Sequence, residues 1–129
     1  MTLVVPNTAD ILMLQYILNR TTTLHLFVNN LTPGKSTILG NITESTDSGY
    51  ASISLPSGGW SFATTLGVSA ATYAQQTFTI TNGTSIYGYY ITDTNGLLWV
   101  ERFPEAPYVL PSGSPGGGEI LIDPVFNLN

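Results

Sequence analysis

The sequence predicts an all-β protein: a β-sandwich or jelly-roll-like domain, preceded by an extended arm and one short helix. Three observations carry this. Short runs of β-branched and aromatic residues alternate with Gly, Pro, Asn and Asp clusters, giving seven or so strands. The block QTFTITNGTSIYGYYITDTNGLLWVERF, residues 76–103, reads as a three-stranded meander apolar on both faces. A helical pattern is confined to the chain before residue 20. With 129 residues the chain fits one domain, which would bury roughly two-thirds of its unfolded surface. Residues 1–20 are assigned to arm and helix and 21–129 to a single β domain.

Residues 1–6 read as an extended arm ended by Pro6. Asn7 or Thr8 is the expected helix cap, with Asp10 near the positive end of the dipole and a helix running to about Asn19. Ile11, Leu12, Met13, Leu14, Tyr16, Ile17 and Leu18 make it apolar nearly all round. Such a helix is either buried in its own fold or plugged into a neighbouring subunit, and both readings stand.

Thr23 to Asn29 reads as a strand, followed by a turn at Pro33-Gly34 and a polar stretch to Gly49. Tyr50 to Leu55 alternates as a half-buried strand, Pro56 to Gly59 breaks the chain, and Trp60 to Thr65 is a further strand. A small-residue connection leads to the meander. There, Asn82-Gly83 and Asn95-Gly96 are expected as two-residue type I′ turns, setting Phe78 opposite Tyr87 and Thr92 opposite Trp99. One face then collects Phe78, Ile80, Tyr87, Tyr89, Ile91, Leu98 and Val100 as the core side. The other carries Ile86, Tyr90, Trp99 and Phe103 where a solvated face would carry Lys and Glu, so it calls for a second cover. Beyond Phe103 a Pro/Gly-rich loop precedes a closing strand within residues 119–128, interrupted by Asp123-Pro124 at an edge or bulge.

Composition bounds the function. Charged residues are 9% of the chain, against about 25% in ordinary soluble domains, and Thr, Ser, Asn and Gly take their place. Such a surface is desolvated at lower cost than one of Lys and Glu, which favours a subunit of an assembly. A net charge of -5 with three basic residues, Arg20, Lys35 and Arg102, opposes nucleic-acid binding. No cysteine is present, so disulfides and thiolate metal sites are excluded. The first residues lack a positive n-region, and Ile11 to Leu18 is too short to cross a bilayer, so neither export nor membrane anchoring is expected.

Candidate chemistry is sparse, and no cofactor, metal or catalytic residue is expected. His25 is the only histidine, read as a packed or edge side chain without a signature serine to activate. The acidic stretches at Glu44 to Asp47 and at Asp93 lack calcium-loop spacing, and Gly116 to Gly118 precedes a strand rather than a helix. Pairs such as Glu101 with Glu105, or Glu119 with Asp123, are no better matched than any other two carboxylates. Triplets of glycosylation type at Asn19, Asn30, Asn41 and Asn82 are expected by chance in a chain so rich in Asn and Thr. Tyr87 and Tyr89 read as core, leaving Tyr90 and Trp99 open to contact.

VVPNTAD ahead of the helix, ATYAQQTFT, YGYYIT and LLWVERFPEAPYVLP together resemble small virion proteins of tailed phages of cyanobacteria and related aquatic hosts. The resemblance covers most of the chain and implies a capsid cement or decoration subunit. Such a subunit would be a homotrimer on the outer surface of the head, clamping neighbouring major capsid proteins. On that reading Leu3, Val4 and Val5 of the arm, Leu12 and Tyr16 of the helix, and Ile86, Tyr90 and Trp99 of the sheet are the interface residues. A tail, collar or head-fibre component, or a carbohydrate-binding host-attachment module, are the alternatives. An enzyme is the least expected class.

Overall fold

The computed structural model describes residues 2–81, 85–110 and 118–128. Among the described residues the fold is all-β apart from one helix and two short 3-10 turns at Leu39–Asn41 and Ser57–Gly59. The helix α1 (Asn7–Ile17) is followed by β1 (Thr22–Phe27), β2 (Ile53–Leu55), β3 (Ser61–Thr65), β4 (Val68–Thr72) and β5 (Gln76–Ile80). Next come β6 (Ser85–Ile86), β7 (Gly88–Asp93), β8 (Gly96–Arg102), β9 (Tyr108–Val109), β10 (Gly118–Ile122) and β11 (Val125–Leu128). All pairings are antiparallel: a four-stranded sheet β2-β1-β7-β8, a three-stranded sheet β11-β4-β3, and the pairs β10-β5 and β6-β9.

The sheets meet over one core. Leu24 and Leu26 of β1 stand opposite Ile91 and Tyr89 of β7 and project to the same side, where they join Leu55, Phe78, Ile80, Ile86 and Ile120. The four-stranded and three-stranded sheets are joined through aromatic rings. Trp99 of β8 stacks on Phe126 of β11 at 3.4 Å, Phe126 lies 5.5 Å from Trp60, and Trp60 meets Tyr73 edge-on at 5.0 Å. The edge-to-face contact of Trp60 with Tyr73 is worth about 1 kcal/mol beyond the area it buries.

The meander forms differently from its sequence expectation. β5 pairs with β10, so Phe78 faces Ile120 rather than Tyr87. The expected turn at Asn82-Gly83 lies outside the described residues. The second hairpin closes one residue early, over Thr94-Asn95, with Asp93 opposite Gly96. The cause is local: the Asp93 carboxylate accepts the Asn95 N–H at 2.7 Å, and Gly96 takes φ 122°, which few residues other than glycine adopt. A bulge beside Ile91 and Thr92 then sets Trp99 opposite Ile91, not Thr92. Trp99 therefore belongs to the core side with Tyr89 and Ile91, whereas Val100, expected there, stands opposite Tyr90 on the other face.

Elsewhere, β4 replaces the expected small-residue connection, and β9 forms in the proline-rich segment. The closing run makes two strands, β10 and β11, which join different sheets around a buried Pro124 whose carbonyl accepts the Tyr73 N–H at 3.0 Å. Helix α1 ends at Ile17 and is capped by backbone: the Pro6 carbonyl accepts the N–H groups of Ala9 and Asp10, with no side-chain cap from Asn7 or Thr8. It packs on β3 and β4, burying Asp10 and Leu14, and Leu18 just beyond it is also buried.

Candidate functional site

The expected interface residues divide into two groups. Leu3, Val4 and Val5 in the arm, and Leu12 and Tyr16 on the outer side of α1, are exposed, with Leu3 at 89% and Tyr16 at 75%. Met13 joins them, and Leu12, Met13, Tyr16 and Ile17 line an apolar groove of about 370 Å³. One stripe of the helix, with Asp10 and Leu14, is buried in its own fold, as the first reading expects, and the opposite stripe is bare. Fully burying five such side chains would contribute roughly 2 kcal/mol each, on the order of 10 kcal/mol in all. Association itself costs about 4–15 kcal/mol, so one such patch is marginal unless several copies engage together.

Ile86, Tyr90 and Trp99 lie elsewhere. Ile86 is fully buried and paired with Tyr108 across β6 and β9; Tyr90 is buried; Trp99 is half-buried against Phe126. The face that was expected to need a second molecule is covered near Tyr90 by the chain's own β1–β2 connection. That connection is pinned to β1 by a bridge between Phe27 and Glu44, by Val28 N–H donating to the Thr43 carbonyl at 2.9 Å, and by Ser45 N–H donating to the Leu26 carbonyl at 3.0 Å. Tyr90, expected to be open to contact, is thus covered, and Trp99 is open only in part.

Pinning the connection places Glu44 beside His25. The His25 Nδ1 is 2.8 Å from the Glu44 Oε2, and its Nε2 is 2.9 Å from the Thr92 Oγ1. The ring is held flat against Tyr90, its cross-strand neighbour, with centroids 4.5 Å apart and planes 12° apart. The Tyr50 hydroxyl donates to the same Glu44 oxygen at 2.6 Å while accepting the Leu26 N–H at 3.2 Å. Burial raises the Glu44 pKa, but hydrogen bonds from Tyr50 and His25, the charge of His25 and a contribution from Tyr90 outweigh it and hold the carboxyl below its ordinary 4.5. Burial first, then the bond to Glu44, pushes the Tyr50 phenol well above its usual range, so it stays a donor; burial with Glu44 nearby does the same for Tyr90.

The group borders a cleft of about 350 Å³ whose walls include Leu39, Ile42, Tyr90 and Asp93. Asp93 is ion-paired to Arg20 at 3.4 Å. Among the described residues no cluster of three or more His, Cys, Asp or Glu side chains is placed to hold a metal ion. No local serine motif marks a hydroxyl partner for His25 in the sequence. The partner is Thr92, 67 positions away on the adjacent strand, which no spacing in the sequence announces.

No protein-family model, curated protein or solved structure matches this chain.

Proposed function

We propose that this chain is a structural subunit of a multi-copy assembly, and in its specific form a virion protein that decorates the outer surface of a phage head. The observation that carries this reading is the exposed apolar surface formed by Leu3, Val4 and Val5 of the arm with Leu12, Met13 and Tyr16 of α1. A lone domain gains nothing from keeping these side chains in water, and the rest of the chain shows where its apolar residues go when they have a partner. The charge-poor composition supports the same reading, because the surrounding Thr, Asn and Ser can be covered without stranding ions. The resemblance to small virion proteins of tailed phages supports the finer form: a homotrimer whose arms and helix faces contact the major capsid protein. A symmetric oligomer turns a marginal single contact into stable attachment by avidity.

The test is cosedimentation with emptied phage heads. The wild-type chain binds and protects the shells against heat, while a folded double variant, Leu12→Asp with Tyr16→Asp, stays in the supernatant. Equal binding by the double variant would show that this surface is not the docking face. Binding by neither protein, with wild type recovered instead on tails or fibres, would move the subunit to another part of the particle.

A further inference from the structure

We propose that the cleft over β1 and β7 is an acyl-transfer site in which Thr92 is the nucleophile, His25 its general base and Glu44 the residue that positions the base. The inference does not depend on the apolar arm and helix, which lie outside the cleft. Its ground is a continuous hydrogen-bonded chain of hydroxyl, imidazole and carboxylate with both contacts under 3 Å. Such an array is recognised by its geometry and roles, not by the order of its members in sequence.

The proton inventory fixes the direction of the chain. An ionised carboxylate can only accept, so the His25 Nδ1 carries the hydrogen that bonds Glu44. In the neutral ring Nε2 then offers a lone pair, and the Thr92 hydroxyl donates to it. That is the polarity a general base requires. Each member is also held. β1 and β7 are paired through this region, the ring is clamped by Tyr90, and Glu44 is anchored both by its backbone bridge to Phe27 and by the Tyr50 hydroxyl. Preorganisation of this kind exceeds what a solvated surface histidine needs.

The chemistry balances with water as the only co-reactant. The Thr92 Oγ1 attacks an ester carbonyl, its proton passes to Nε2, and Glu44 stabilises the resulting imidazolium. The carbon–oxygen bond to the leaving alcohol breaks and the alcohol takes the proton from Nε2. A water deprotonated by the same nitrogen then releases the acid and restores the threonine. The cleft, at about 350 Å³, is at the small end of ligand sites, and Leu39 and Ile42 line it beside the acidic Glu44 and Asp93. These features select a neutral, short-chain ester over an anionic one.

The experiment treats the full chain with p-nitrophenyl acetate and, separately, with a fluorophosphonate, and locates adducts by peptide mass spectrometry. A stoichiometric adduct on Thr92 is expected, at least about 100-fold slower in His25→Gln, as for loss of a general base. It should be absent in Thr92→Val and retained in Thr92→Ser, which keeps a hydroxyl at the same place. Glu44→Gln should slow labelling, and Glu44→Asp, which keeps an anion to accept the Nδ1 hydrogen, should restore part of the rate; a merely structural role would leave the labelling rate of the folded protein unchanged in both. Folding of each variant is checked by circular dichroism, with Thr92→Ser as the conservative control. An unlabelled Thr92 in folded wild type, or labelling indifferent to His25→Gln, would overturn the proposal.

Discussion

Leu66→Asn should stabilise this protein by about 1 kcal/mol, although it removes a large apolar side chain. Leu66 is the first central residue of the β3–β4 turn, with Thr65 paired to Val68 across it. Its φ is 51° and that of Gly67 is 80°, so both central residues occupy the left-handed region of a type I′ turn. For a leucine this places Cβ against the following carbonyl, at a cost of about 1–2 kcal/mol, whereas asparagine tolerates the conformation. The usual opposing term is absent: Leu66 is 100% exposed, so no buried apolar area is lost. Nothing in the isolated chain explains why a leucine stands there. For a protein of this size the gain corresponds to an increase in Tm of about 4 °C. Urea unfolding followed by tryptophan fluorescence measures it, with the midpoint rising and the slope unchanged. A midpoint that stays put or falls would refute the strain argument, meaning either that the turn has another geometry or that Leu66 is covered in the species studied.

Gly88→Ala is expected to cost about 3 kcal/mol or to prevent folding, the penalty of overpacking a core without room to relax. A Cβ there would collide with the Glu101 carbonyl and stand 2.6 Å from the Phe27 ring, which lies over this glycine; the loss is read by urea unfolding, and a neutral result would contradict the close approach of β8 and Phe27 to this glycine. Acid stability should depend on Glu44. Its carboxyl is held below its ordinary 4.5 in the folded chain, so its contribution is complete above about pH 4.5 and is lost as pH falls through the lower folded value. Because Glu44 is partly exposed, that contribution is a fraction of a kcal/mol. Glu44→Gln should accordingly flatten the acid limb of the stability curve below pH 4.5, as measured by thermal melts across pH; an unchanged limb would contradict the hydrogen-bond argument.

The parts legible in the sequence were those set by local chemistry. Period-two runs of β-formers announced β1, β3 and β8, and the apolar run after Pro6 announced α1. Pairing was not legible, since β5 finds β10 about 40 residues later, with β6 to β9 in between and no turn signal linking the two. Register failed at a single side chain. Asp93 captures the Asn95 N–H and closes the turn one residue early, and the compensating bulge moves Trp99 to the opposite face. That slip is why Tyr90 and Trp99 read as partners sharing an open face. In fact Tyr90 is buried beside His25 and the β1–β2 connection, and Trp99 is half-buried against Phe126. The bare surface of Leu3, Leu12 and Tyr16 was foreseen because an arm and a helix apolar all round need no register to be recognised. The Thr92, His25 and Glu44 array was not, because it is a product of strand pairing and of a long connection folding back.

Analytical ultracentrifugation of the purified chain, beside a variant lacking residues 2–6 and beside Leu12→Asp, decides whether the bare surface of arm and helix holds copies of this chain together. A concentration-dependent oligomer is expected for wild type and a folded monomer for each variant. A wild-type chain that stays monomeric at high concentration, with Leu3 and Tyr16 still open to solvent and no affinity for phage heads, would contradict it.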